Sequence, residues 1–457
     1  MRIWATAALL ESGWARDVSV EIGADGRIAS VAQGDAGGRA RADAAVEVLL
    51  PAPGNLHSHA FQRAMAGLSE RRGPGTHDTF WTWRDLMYRF LAGFTPEEIE
   101  AVAAFVQMEM LEAGYAASAE FHYVHNQADG TPYDDAAILA RRIAAASETS
   151  GIGLTLLPVY YEVGGLDARP LAGGQRRFRT DLDHYAAILE GAEAAVRALP
   201  GDARLGIAPH SLRAVPSAAL AELVTWRPDA PLHMHIAEQT GEVEEVRAAT
   251  GKRPVEWLFD THAVDDRWCL IHCTHLTEDE RRALATSGAV AGLCPITESS
   301  LGDGIFDGAA YLAEGGTLGV GSDSNIRIAL SEELRTLEYS QRLRDRHRAV
   351  LATAERSCGR RLYDEALVGG ARALGRDSGA IRQGAFADLL ALDAGSVHLE
   401  GLAGDDLLDA WIFAGDDTLV RDVWSAGRHL VQGGRHVRRD AIEAGYRKAM
   451  RKLKETL

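Results

Sequence analysis

Between residues 51 and 374 short apolar stretches alternate with longer amphipathic ones, and this alternation restricts the fold more than any other feature. Ile152–Pro158, Arg204–Pro209, Leu232–Ile236, Trp268–His272, Ala289–Leu293 and Thr317–Val320 read as strands. His184–Leu199, Ser217–Thr225, Glu242–Thr250 and Thr277–Thr286 read as helices, the last opened by a Thr277/Glu280 capping-box pattern. Repeated βα units of this length imply parallel strands, in either a (β/α)8 barrel or an open sheet.

The flanks are different. Val18–Ile22 alternates, Ala24–Gly26 turns and Arg27–Val31 returns, a hairpin pattern. Val46–Leu50 is a strand running into the Pro51–Gly54 turn. Near residue 380 the turn-rich Gly379–Gly384 precedes two apparent strands, Ala387–Asp393 and Val423–Val431. Residues 1–50 and 375–440 therefore read as one composite β-domain flanking the α/β unit 51–374, and 441–457 as a basic amphipathic helix.

A chain of 457 residues accommodates two such units. The net charge of −17 argues against nucleic-acid or acidic-membrane partners. No apolar run approaches the ~20 residues of a membrane span. Glu11 interrupts the mildly apolar Met1–Leu10 and no small-residue cleavage site follows, so a cytoplasmic location is expected. The four cysteines, Cys269, Cys273, Cys294 and Cys358, include one C-x3-C pair and no second pair; reduced, structural thiols are expected. Trp4, Trp14, Trp226, Trp257, Trp268, Trp411 and Trp424 read as core or interface residues.

The chemistry-bearing residues fall at strand ends. His57 and His59 flank Ser58 just past a strand, and residues i and i+2 of an extended backbone face one side. His233 and His235 share a strand, with His235 near its C-terminal end. His272 ends the next strand, and Asp323 follows a later one. In a barrel such positions converge at the mouth where active sites assemble. Three histidines and one aspartate suit Zn²⁺ and leave room for water. The lysines are Lys252, Lys448, Lys452 and Lys454. None lies at a strand end where it could bridge two ions, which favours one metal.

The order H-x-H, His-x-x-Glu, His, Ser-Asp resembles the amidohydrolase superfamily and, within it, the formimidoylglutamate deiminase family. Pro53–Leu68, Phe80–Tyr88, Ala208–Arg213, His233–Glu238, Gly321–Asn325 and the Gly-x-x-Ala-Asp-Leu pattern at Gly384–Leu389 carry the resemblance. It implies a (β/α)8 TIM-like barrel with a small β-sandwich domain built from both chain termini. It implies one zinc ion per subunit on His57, His59, His235 and Asp323, although iron also suits these donors. His272 is similar to the family histidine that acts in catalysis rather than completing the metal shell. A homodimer is common in the family.

The implied reaction is attack of water on the C=N carbon of N-formimino-L-glutamate, giving N-formyl-L-glutamate and ammonia. Glu238, three residues past His235, can carry the proton from water to the imine nitrogen. His272 orients the nucleophile, and Asp323 can also accept a proton. The dicarboxylate substrate calls for planar guanidinium groups. Arg213, past a strand end, and Arg84, in the long loop after the first barrel strand, are the expected pair. Gln62, Tyr123 and His210 are the expected hydrogen-bonding neighbours, and His122, His125 and His275 are candidates for supporting contacts. The rival readings are a deaminase of purines or other aminated heterocycles, and a metal- or ligand-binding protein that has lost catalysis.

Overall fold

The computed structural model describes residues 1–70 and 79–455. Among these, four strands open the chain: β1 (Arg2–Leu10), β2 (Gly13–Ile22), β3 (Ile28–Ala32) and β4 (Ala44–Pro51). The middle holds β5 (Gly54–Ser58), β6 (Ala117–His122), β7 (Gly153–Tyr160), β8 (Arg204–Leu205), β9 (Ala208–Pro209), β10 (Leu232–Ile236), β11 (Trp268–His272), β12 (Val290–Leu293) and β13 (Thr317–Val320). The end adds β14 (Leu389–Leu392), β15 (Val420–Ser425), β16 (Arg428–Gln432) and β17 (Arg435–His436).

Strands from both ends of the chain form one mixed sheet, ordered β17-β16-β15-β14-β4-β1-β2-β3. Its small core gathers Ile3, Val18, Val20, Leu49, Leu389 and Trp424. The β2–β3 turn needs Gly26, whose φ is 75° and whose added Cβ would lie 2.4 Å from the Ala426 carbonyl oxygen.

The middle strands form two parallel sheets, β5-β6-β7-β8 with β9 beside β7, and β10-β11-β12-β13. Parallel bridges Ser58–Asp323 and Ile207–Leu232 join the two sheets at both seams. Apart from the rim residues of β8 and Thr317, these strands are buried throughout, as expected of parallel strands covered on both faces. Helices pack outside. Asp181 caps the helix Leu182–Ala198 by accepting from the His184 N–H, and Thr277 and Glu280 form the capping box of Glu278–Ser287. The helix Cys358–Ala373 lies close against β13: a Cβ on Gly369 would sit 2.0 Å from the Leu318 oxygen.

Three elements differ from the sequence expectation. Val423–Val431 is not one strand but the ends of β15 and β16, because Ala426 (φ 42°) and Gly427 (φ 75°) turn the chain back. Arg204–Pro209 is broken into β8 and β9 around Gly206, where any side chain would meet the Pro231 oxygen at 2.7 Å. The opening Arg2–Leu10 is a full strand between β2 and β4. No helix among the described residues is long and apolar enough to cross a membrane, and all four cysteines are buried and unpaired.

Candidate active site

His57 lies on β5 and His59 follows it, so the pleat turns both imidazoles the same way. The β5–β13 seam sets their depth. The Asp323 N–H donates to the His57 oxygen at 2.9 Å, and the His59 N–H donates to the Asp323 oxygen at 2.9 Å. His235, at the end of β10, joins them. The three Nε2 atoms are 3.0–3.3 Å apart. Asp323 Oδ1 lies 3.3 Å from His59 Nε2 and 3.7 Å from His57 Nε2.

Burial drives all three histidines below their ordinary pKa, His59 to about 3, so they are neutral. His59 Nδ1 bonds the Phe121 carbonyl at 3.0 Å and His235 Nδ1 the His210 carbonyl at 3.3 Å. With protons on those nitrogens, the Nε2 lone pairs point into one space. Lone pairs this close repel unless a cation lies among them, so the four donors form a group that can hold a metal ion.

Strand-end backbone around this point is strained. Ala237, His272, Cys273, Asp323 and Asn325 all have φ between 45° and 74°, a region non-glycine residues seldom occupy. A buried polar chain supports it. Asn55 Nδ2 donates to Ser322 Oγ (2.6 Å), Ser322 Oγ to Asn325 Oδ1 (2.6 Å), and Asn325 Nδ2 to Ser58 Oγ (3.2 Å). Ser58 Oγ in turn donates to Glu120 Oε2 at 2.7 Å, and the Ala60 N–H donates to Glu120 Oε1 at 2.8 Å. Burial pushes the Glu120 carboxyl up to about 8 against the pull of those bonds.

Beside the donor group, His272 Nε2 lies 3.8 Å from both Glu238 Oε1 and Asp323 Oδ2. Burial alone would depress His272. The Glu238 charge, the Glu298 hydrogen bond and the Asp323 charge reverse that and raise it to about 10. Burial also pushes the Glu238 carboxyl up, while His272 and Arg213 pull it back. Glu238 is therefore suited to taking up and releasing a proton.

One pocket opens onto these groups, and Gln62, Arg84, Tyr123, His210 and Arg213 all line it. Gln62 Nε2 donates to the Tyr123 hydroxyl at 2.7 Å. His210 Nδ1 is 3.0 Å from Ser211 Oγ. The Trp81 ring sits under both guanidinium groups, 4.6 Å from Arg84 Cζ and 5.7 Å from Arg213 Cζ. Among the described residues, Gln62 Oε1, Arg84 Nε and Arg213 Nε are buried without a hydrogen-bond partner. Glu242 accepts from the Glu238 N–H at 3.0 Å and lies 3.9 Å from Arg213, tying the arginine to the Glu238 turn.

One expectation is corrected. Arg84 is not in a loop; it lies in the helix Phe80–Leu91, one turn from Trp81. His122, His125 and His275, the candidates for supporting contacts, and His233 lie outside the pocket lining. His233 Nε2 bonds the Ala373 oxygen (2.7 Å), His125 Nε2 the Val159 oxygen (2.8 Å) and His275 Nε2 the Asp303 oxygen (2.8 Å). His122 packs edge-on against His125. Lys252 and Lys452 pair with Asp260 and Glu98, away from the donor group. Sequence reasoning missed Glu120, Glu242, Glu298 and the Asn55–Ser322–Asn325 chain. Glu120 lies in the unrecognised strand β6, and the others show their partners only in three dimensions.

Comparison with known proteins agrees with this arrangement. Residues 48–430 match the amidohydrolase family model, and residues 1–43 match the formimidoylglutamate deiminase HutF, N-terminal domain. A formimidoylglutamate deiminase of Pseudomonas aeruginosa is 51% identical over 437 residues, 95% of each chain. The crystal structure of an amidohydrolase from Brucella melitensis superposes with a TM-score of 0.95 at 48% identity, covering 99% of both chains. An adenosine deaminase from Xanthomonas campestris with bound zinc shares the fold, with a TM-score of 0.83 at 23% identity over 99% of this chain and 98% of that one. The chain belongs to the amidohydrolase family, in its formimidoylglutamate deiminase branch.

Proposed function

We propose that the chain hydrolyses N-formimino-L-glutamate to N-formyl-L-glutamate and ammonia, a step of histidine degradation. The observation that carries this reading is one pocket onto which both a four-donor metal group and two arginines open, the arginine Nε atoms buried and unpaired among the described residues. His57, His59, His235 and Asp323 would hold one zinc ion, and iron suits the same donors. The three Nε2 atoms converge to 3.0–3.3 Å of one another, and neutral imidazoles with one carboxylate are a donor set that suits such an ion. Zinc, when bound, lowers the pKa of water toward ~7 and so supplies a nucleophile at neutral pH.

The remaining chemistry belongs to the chain. Water oxygen adds to the formimino carbon. Glu238 takes a proton from that water and delivers it to the terminal nitrogen of the cationic formamidinium, which leaves as ammonia when the tetrahedral carbon collapses and gives up its hydroxyl proton. His272, with Nε2 facing Glu238 and Asp323, orients the attacking water and stabilises the charge that develops on oxygen. Asp323 can take up the second proton. Arg84 and Arg213 bind the two substrate carboxylates bidentately, with Gln62, Tyr123 and His210 completing the hydrogen bonds. Burial would lower Arg213, but the Glu242 and Glu238 charges outweigh it and keep the guanidinium charged.

The framework in this reading is a (β/α)8 barrel of residues 51–374, with closure supported by the two seam bridges. Residues 1–50 and 375–440 form the small β-sandwich, and 441–457 the terminal helix. A homodimer and a cytoplasmic location accompany the reading. Ammonia release from formimino-L-glutamate, guanine and other aminated rings, with metal analysis on the same sample, tests it. Release from formimino-L-glutamate alone is expected. Zinc-loaded protein that leaves formimino-L-glutamate untouched would overturn the proposal.

A further inference from the structure

His272 has two ring nitrogens and two sets of neighbours. Nε2 faces Glu238 and Asp323, each at 3.8 Å. Nδ1 lies 3.3 Å from Oε1 of Glu298, a carboxylate outside the pocket lining and without a task in the reaction above. Glu298 is itself fixed. The same Oε1 accepts the Cys294 backbone N–H at 2.8 Å, and the Glu298 N–H donates to the Cys294 oxygen at 2.8 Å. It sits in the first turn of the helix Pro295–Leu301 and is 6% exposed.

His272 needs such a support. It ends β11 with φ at 74°, a backbone conformation that does not by itself define where the ring points. The ring lies flat against His235, with centroids 5.5 Å apart and planes 28° apart. Stacking fixes the plane but not the direction within it. A half-turn about Cβ–Cγ keeps the stack and replaces Nε2 with a carbon in front of Glu238 and Asp323. A hydrogen bond from Nδ1–H to a fixed oxygen removes that freedom.

We propose that Glu298 is the positioning residue of His272: its carboxylate accepts the Nδ1–H bond and so holds Nε2 between Glu238 and Asp323. The proposal rests on the deiminase reading of His272. It also decides between two readings of one cluster. His272, Cys294 and Glu298 offer donor atoms within 4.8 Å of one another, as a second metal site would. The Cys294 N–H on the same Glu298 oxygen favours the hydrogen-bonded arrangement.

Glu298→Leu and Glu298→Gln in the full chain test this, with formimino-L-glutamate as substrate and metal counted per chain. The leucine variant is expected to keep one metal and an unchanged KM while kcat falls about 10- to 100-fold. Glutamine can accept both bonds through its own Oε1, so it is expected to restore most of kcat. A second readout needs no turnover. In ¹⁵N-histidine-labelled protein, metal-loaded or stripped, the His272 Nδ1–H resonance should appear in the parent and Gln variant and vanish in the Leu variant. If Glu298→Leu lowers Tm but leaves kcat per folded, metal-bound enzyme unchanged, Glu298 only caps its helix and the proposal is overturned. It is also overturned if the parent binds two metals and the Leu variant one. Should the parent not act on formimino-L-glutamate, the deiminase reading falls, while the Nδ1–H resonance still judges the Glu298 contact.

Discussion

At the scale of single residues, the proposed roles can be told apart for Glu238 and Arg213, neither of which belongs to the four-donor group. Glu238 touches His272 but lies outside the four-donor group. Glu238→Gln should therefore leave metal content unchanged while kcat falls by about 10²–10⁴-fold, the usual worth of a positioned acid–base group. Activity equal to the parent would remove Glu238 from the mechanism. Arg213 has the opposite signature. A guanidinium–carboxylate hydrogen bond is worth about 1.5–3 kcal/mol, so Arg213→Met should raise KM by roughly 10- to 100-fold with a smaller change in kcat. Steady-state kinetics separates the two, and an unaltered KM would assign the carboxylate to another group. Arg84 and Arg213 together would give an acidic chain, at −17 overall, a local site for a dicarboxylate.

At the scale of elements, the geometry of the donors depends on how closely strands and helices approach. Asp323 follows β13, and β13 is pressed from outside by the helix Cys358–Ala373. Gly369 makes that approach possible. Alanine there would gain up to ~1 kcal/mol of helix propensity. It would also force a methyl against the β13 backbone, an overpacking cost of about 1–3 kcal/mol. Overpacking should win because the Leu318 oxygen is main chain and cannot swing aside. Gly369→Ala is thus expected to lower Tm by several degrees, measured by thermal unfolding. A raised Tm would show that the helix shifts freely. The helix Phe80–Leu91 matters in the same way, since it presents Trp81 and Arg84 to the pocket as a unit.

Across the whole molecule, the terminal sheet is fastened to the α/β unit by a buried ionic junction. Arg376 bonds Asp388, next to β14, at 2.6 and 2.9 Å, and Asp202, ahead of β8, at 2.9 Å. Arg428 on β16 reaches the same Asp202 at 2.7 Å. Arg376, Asp202 and Asp388 are 5% exposed or less. Removing one partner of a buried pair typically costs about 3–5 kcal/mol, because the other charges remain buried. Arg376→Met should lose that much in urea unfolding while keeping KM for substrate. A loss below about 1 kcal/mol would mean that Arg428 compensates.

Much of the site was legible in the residues themselves. Strand ends are marked by local hydrophobic patterning, so His57, His59, His235, His272 and Asp323 could be placed on one rim. The His-x-x-Glu spacing then pointed to Glu238, and the family resemblance to Gln62, Tyr123, His210, Arg84 and Arg213; all of these line the pocket that opens onto the donor group. What local pattern could not reveal was anything defined by a partner distant in sequence. Strand β6, rich in alanine, lacks a strong β signal and concealed Glu120. The helix bearing Arg84 lies where the sequence reads as a long loop, and the turn at Ala426 becomes visible only when β15 and β16 pair. The sequence by itself determined the donor types, their order and the βα rhythm, because these depend on short-range periodicity. Only the tertiary structure decided which nitrogen faces the site and which carboxylates steady it, because hydrogen bonds such as Glu298 to His272 exist only after separate strands have been packed side by side.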